Sequence, residues 1–219
     1  MSDKSNKYGY VGVDIPAQSF GANKGVFNPA EINELVADNK WTQYGQLELI
    51  ETKTGSGVSS IDFTTLYEST YNVHFLTIND YQVATDGQDM VIRLSDDGGS
   101  TYESSNYDWA HQVGQANGTF AEYRSTTASS LEINRFNGNQ TNEKANAYVY
   151  LYNLGDNTKY SFSTSQATAT LEYTERYGMQ FGSGVYHIAS SINAFRLQCT
   201  TSGNISVTSA SLYGIKEYS

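Results

Sequence analysis

Ile192-Asn193-Ala194-Phe195-Arg196-Leu197-Gln198, a turn at Ser202-Gly203-Asn204, Ile205-Ser206-Val207 and then Ser209-Ala210-Ser211-Leu212-Tyr213-Gly214-Ile215-Lys216 bring the chain almost to its end. Each run alternates apolar and polar residues with period 2, which sends one set of side chains into a core and the other into water. Upstream, Ala147-Tyr148-Val149-Tyr150-Leu151-Tyr152-Asn153-Leu154 is β-branched and aromatic at the same spacing. Runs of this kind, stopped by glycine-rich turns, predict an all-β protein. The expected architecture is an antiparallel two-sheet sandwich of jelly-roll-like form.

Working backwards, further strands are expected at Leu47 to Thr52, Val58 to Phe63, Tyr71 to Ile78 and Asp89 to Ser95. The last is expected to pair across a turn with Thr101-Tyr102. Phe120 to Arg124 and Leu131 to Phe136 follow, giving about ten strands, while residues 103 to 118 read as loop around Trp109. Residues 46–219 form the expected sandwich domain. Residues 1–45 read differently: a glycine-punctuated extended arm and one short helix at about 29–37. Asn28 stands as its cap, Pro29 at its first position, and Ile32, Leu35 and Val36 on one face. A two-turn helix is marginal alone and must dock on something.

Composition narrows the function. Of 219 residues, 16% are charged, against about a quarter in a typical soluble chain, so uncharged polar groups and 18 tyrosines must cover much of the surface. A formal charge of −10 argues against nucleic acid and against insertion at an anionic membrane. No apolar run approaches membrane-spanning length. The single cysteine, Cys199, rules out an internal disulfide and reads as a small buried hydrophobe. The polar start Met1-Ser2-Asp3-Lys4-Ser5-Asn6-Lys7 lacks the apolar stretch of a signal peptide, so synthesis in a host cytoplasm without secretion is expected.

Four constellations carry residue types that chemistry could use. Ser95-Asp96-Asp97-Gly98-Gly99-Ser100-Thr101-Tyr102 fits an Asp-box, a structural hairpin that sialidases repeat; one copy points to a rigid turn. Asp86, Asp89, Asp96 and Asp97 crowd two loops without EF-hand spacing, so no metal site is assigned. His74, His111 and His187 are widely separated and lack the spacing of a zinc site. Tyr102, Tyr107, Trp109 and Tyr123 gather in the central region, where aromatic faces could stack on sugar rings or plug the end of the sandwich. No catalytic residue and no cofactor is assigned. The sequons at Asn117, Asn139 and Asn204 matter only in a host that glycosylates.

Several segments, in order, resemble a β-sandwich family of tailed-bacteriophage virion proteins, marine and cyanobacterial phages especially. They are Leu47-Glu48-Leu49-Ile50-Glu51-Thr52, Val58-Ser59-Ser60-Ile61-Asp62-Phe63-Thr64, Tyr71-Asn72-Val73-His74-Phe75 and Ala84-Thr85-Asp86-Gly87. Arg93 to Tyr102, Val149-Tyr150-Leu151-Tyr152-Asn153 and the closing Ser202 to Ile205 and Ser211 to Lys216 complete the set, over residues 47 to 216. Gly9-Tyr10-Val11-Gly12 and Gly25-Val26-Phe27-Asn28 are similar to the leaders of phage structural proteins. The resemblance implies a non-enzymatic virion-surface protein located on the particle. Members are usually labelled tail fibre or structural protein, and this chain carries no fibrous shaft, which suits capsid decoration. An attachment arm of Tyr8, Tyr10, Phe20, Val26, Phe27, Ile32, Leu35 and Val36 would hold the particle. Expected partners are other virion proteins of capsid or tail and the chain itself, as a homotrimer. The alternative is a short tail-fibre head whose central aromatics bind host surface glycan.

Overall fold

The computed structural model describes residues 29–37, 46–171, 176–201 and 203–216. The chain divides between Gly45 and Gln46 into two units, which are taken separately. In the first, α1 (Pro29–Ala37) begins at the expected proline, with Ile32 and Leu35 half-buried. Asn28, Tyr8, Tyr10, Phe20, Val26, Phe27 and the side chain of Val36 lie outside the described residues. No helix among the described residues is long and apolar enough to cross a membrane.

Among the described residues, the second unit is built of twelve strands. These are β1 (Leu47–Val58), β2 (Ile61–Phe63), β3 (Val73–Val83), β4 (Gln88–Ser95), β5 (Tyr107–Gln115) and β6 (Phe120–Ala128). They continue with β7 (Leu131–Asn137), β8 (Ala145–Tyr152), β9 (Ser161–Leu171), β10 (Arg176–Tyr186), β11 (Ala194–Cys199) and β12 (Ile205–Ile215). All pairings are antiparallel. Eight strands make two four-stranded sheets, ordered β1-β12-β3-β8 and β2-β11-β4-β7. That order, with consecutive strands crossing between sheets, is the jelly roll.

Two hairpins are added to it. β5–β6 is inserted between β4 and β7, and β9–β10 between β8 and β11. They join one another, since β9 pairs with β8, β10 with β9, and β5 with both β10 and β6. The first sheet thus grows to eight strands and bends round to meet β7, touching it by one pair, Asn137 with Leu171.

The core lies between the sheets. Leu76, Ile78, Val149, Leu151, Ala210 and Leu212 from the first face Phe63, Ile92, Leu94, Phe195 and Leu197 from the second, all buried. The Phe63 and Phe195 rings stack with centroids 4.7 Å apart. Burying side chains of this size contributes roughly 1.5–3 kcal/mol each before conformational entropy is offset.

Two sequence expectations are corrected. Residues 103 to 118 are not all loop, because β5 occupies 107 to 115, and residues 161 to 171 and 176 to 186 are strands that the apolar pattern does not announce. Nor does β4 pair with Thr101-Tyr102; its partners are β7 and β11. Asp97 explains why. Its carboxylate accepts Thr101 N–H at 2.9 Å and the Thr101 hydroxyl at 2.7 Å, while Ser95 Oγ accepts Gly99 N–H at 2.9 Å. The Asp-box closes as a turn with Gly98 and Gly99 at positive φ, and only Glu103 N–H to Leu94 O, 2.8 Å, continues toward a ladder.

Candidate interaction surface

Of the four central aromatics, the fold brings two together. Trp109 on β5 and Tyr123 on β6 flank the guanidinium of Arg135, at 5.6 and 4.5 Å from Arg135 Cζ to each ring centroid, and the Phe136 ring lies 4.9 Å from it on a further side. Arg135 also meets Glu132, Nη1 lying 3.2 Å from both carboxylate oxygens. Phe136 itself takes φ +56°, rare for a bulky residue, and Asp89 accepts its N–H at 2.9 Å. Gln180 on β10 ties the same layer together. Its Oε1 accepts Arg135 N–H at 3.0 Å, so its Nε2 is the donor to His111 Nδ1 at 2.7 Å. His111 Nδ1 also lies 3.6 Å from Glu132 Oε1.

Tyr107 and Tyr102 fall elsewhere. Tyr107 is fully buried, accepts Leu94 N–H at 2.9 Å and packs 5.0 Å from Tyr186, so it presents no ring to a ligand. Burial holds its phenol protonated well above the usual range. Tyr102 is half-buried beneath Arg196, whose Cζ is 4.1 Å from the ring centroid while its Nε and Nη2 clasp Asp62, each at 2.7 Å. The aromatics near residue 109 thus serve the junction between β5–β6 and β7 more than an open platform.

The aspartate loops do not converge either. Asp86 accepts Asn139 N–H at 3.2 Å, Asp89 accepts Phe136 N–H, and Asp97 holds its own turn, where these bonds keep its carboxyl down at about 2. Among the described residues there is no group of three or more His, Cys, Asp and Glu that could hold a metal. Cys199 is buried on β11, its thiol donating to Thr201 O at 3.1 Å, and burial pushes its pKa up.

The larger feature is one that residue-by-residue reading does not reveal. Register aligns the outward side chains of six consecutive strands, β1, β12, β3, β8, β9 and β10, into rows. One row reads Leu47, Ile215, Val73, Tyr152, Phe162, Val185. The next reads Leu49, Tyr213, Phe75, Tyr150, Thr164, Ser183, and the third Thr52, Ser211, Thr77, Tyr148, Gln166, Phe181. None carries Asp, Glu, Lys or Arg, on a chain of net charge −10. Charge returns only where the rows run on to β5 and β6, at Asp108, Glu122 and Arg124.

The face is open and aromatic. Leu49 is 59% exposed, and Phe162 and Phe181 45% each. Phe75 sits 4.8 Å from Tyr150 and 6.2 Å from Tyr213, and Tyr150 stacks 6.3 Å from Tyr152. Its polar atoms bond one another: Tyr148 OH donates to Gln166 Oε1 at 2.5 Å, the Tyr152 and Thr164 hydroxyls are 3.1 Å apart, and those of Thr52 and Ser211 2.9 Å. Three of its tyrosines were visible in the alternation of Tyr148-Val149-Tyr150-Leu151-Tyr152. The rows were not, because they depend on strands distant in sequence.

No family model, curated protein or solved structure matches the chain.

Proposed function

We propose that this chain is a non-enzymatic structural protein on the surface of a tailed-bacteriophage virion, of the capsid-decoration kind, with residues 1–45 as the attachment arm. The ordered resemblance over residues 47 to 216 supports the reading. The observation that carries it is the uncharged aromatic face of a jelly roll in which the buried Glu132 is met by Arg135. Such a domain offers contact area rather than reactive groups. Cryo-electron microscopy of purified particles tests it. Density for this jelly roll over the capsid lattice is expected; its absence from the particle overturns the reading.

A second reading, a short tail-fibre head for host glycan, draws on the groove over β9, β10, β5 and β6. Asp108, Trp109, Arg124, Phe162, Thr164 and Ser183 are among its lining, combining aromatic surface with hydroxyls and one charge of each sign. Density confined to the tail, with retention on host polysaccharide that Arg124→Ala weakens, would favour it.

A further inference from the structure

We propose that the uncharged rows on the outer face of β1, β12, β3, β8, β9 and β10 are the surface on which copies of this chain meet, forming a closed homo-oligomer. The inference goes beyond the virion reading and stands or falls independently of it.

Charge selects the occupant. At −10 per chain, two copies repel wherever their acidic surfaces oppose, and pressing carboxylates together adds a desolvation cost. The three rows lack such groups, so like chains can close on them without like-charge contact. The distribution is that of an association surface, a charge-depleted aromatic centre with Asp108, Glu122 and Arg124 beginning the rim.

Area agrees. Six strands about 4.8 Å apart, crossed by three rows about 6.7 Å apart, make a face of about 29 by 20 Å, on the order of 600 Å² before side-chain relief is counted. A standard interface uses about 800 Å² per partner.

Hydrogen bonding favours protein over sugar. Glycan recognition needs polar groups free to bond hydroxyls. Here Tyr148 is bonded to Gln166, Tyr152 to Thr164 and Thr52 to Ser211, all within the face. These three bonded pairs lose little on drying, and the face exposes ring and aliphatic surface that gains by burial.

The test is the mass of the full chain in solution, by light scattering or sedimentation over a wide range of concentration. The wild type is expected at a multiple of the single-chain mass. Leu49→Lys and Phe162→Lys place an ammonium in the face on two different strands, at positions exposed enough to spare the fold. Each is expected to give monomer with unchanged circular dichroism, while Thr158→Lys in an exposed loop keeps the wild-type mass. A monomeric wild type overturns the proposal, as does an oligomer indifferent to both charges. A monomeric wild type that insoluble polysaccharide retains, and that Phe162→Lys releases, would make the face a glycan platform instead.

Discussion

Arg135 holds the join between the added hairpins and the jelly roll. Its guanidinium is planar, so it can lie among Trp109, Tyr123 and Phe136 while Nη1 serves Glu132, which is 5% exposed. Arg135→Ala strands that carboxylate without its cation and should cost about 3 kcal/mol in a denaturant melt. Arg135→Lys keeps the charge and loses the plane, and should recover only part of it; full recovery would show the stacking to be idle. His74 makes a second prediction. Buried on β3, it donates Nε2–H to Leu66 O at 2.8 Å, leaving Nδ1 with no hydrogen-bond partner among the described residues. Burial lowers its pKa below the ordinary 6.5, so the unfolded chain takes up a proton before the folded one does. Stability is therefore complete above about pH 6.5 and declines as pH falls from there through the lowered folded pKa. Urea midpoints between pH 7 and pH 5 should show this decline in the wild type and lose it in His74→Gln, which keeps a donor for Leu66 O but cannot titrate.

At the scale of elements, Gly214 on β12 shows what the closing motif Leu212-Tyr213-Gly214-Ile215 is for. The Tyr71 ring lies flat against Gly214, where a Cβ would come within 2.3 Å of it, and the Tyr71 hydroxyl reaches Glu48 on β1 at 2.5 Å. Glu48 meets Lys216 at 3.2 Å, completing a clasp across β1 and β12, and the Glu48 bond pushes the Tyr71 phenol up to about 12. Gly214→Ala should displace the ring and cost about 2 kcal/mol, a strain of overpacking that a thermal or urea melt reads directly. An unchanged melt would mean that Tyr71 moves aside freely. The same contrast of large and small residues decided which strands could be read from sequence. The eight strands of the jelly roll announce themselves by apolar alternation, most of it set by a face in the core, although on β1 the alternating Leu47 and Leu49 face outward. β9 and β10 do not. The inward residues of β9 begin Ser161, Ser163, Ser165, and those of β10 include Gly178, Gly182 and Gly184, residues that signal loops. Close packing demands them: a Cβ on Gly182 would fall 1.9 Å from the His111 ring, and one on Gly184 2.8 Å from Leu131. Trp109 and Tyr123 meet through Arg135, which belongs to a strand that only the fold brings near.

At the scale of the whole molecule, the proposed reading assigns attachment to residues 1–45 and folding to residues 46–219. Among the described residues, the buried apolar core from Ile61 to Leu212 falls within the second unit, and so does the register that builds the uncharged face. Stability should therefore reside there, since cooperative unfolding follows the shared core. A chain lacking residues 1–40 should melt in one cooperative transition close to that of the full chain, and should keep the oligomeric mass of the full chain if the sheet face alone holds the copies together. It should nevertheless fail to enter particles when supplied in place of the full chain, because the proposed arm with Tyr8, Tyr10, Phe20, Val26 and Phe27 is gone. The three readouts separate three claims. Lost cooperativity would place part of the folding unit before residue 41. Retained melting with a monomeric mass would assign self-association to the arm rather than the face. Retained melting and normal incorporation would leave the arm without its proposed role and move attachment onto the jelly roll, where the uncharged rows are the first surface to mutate.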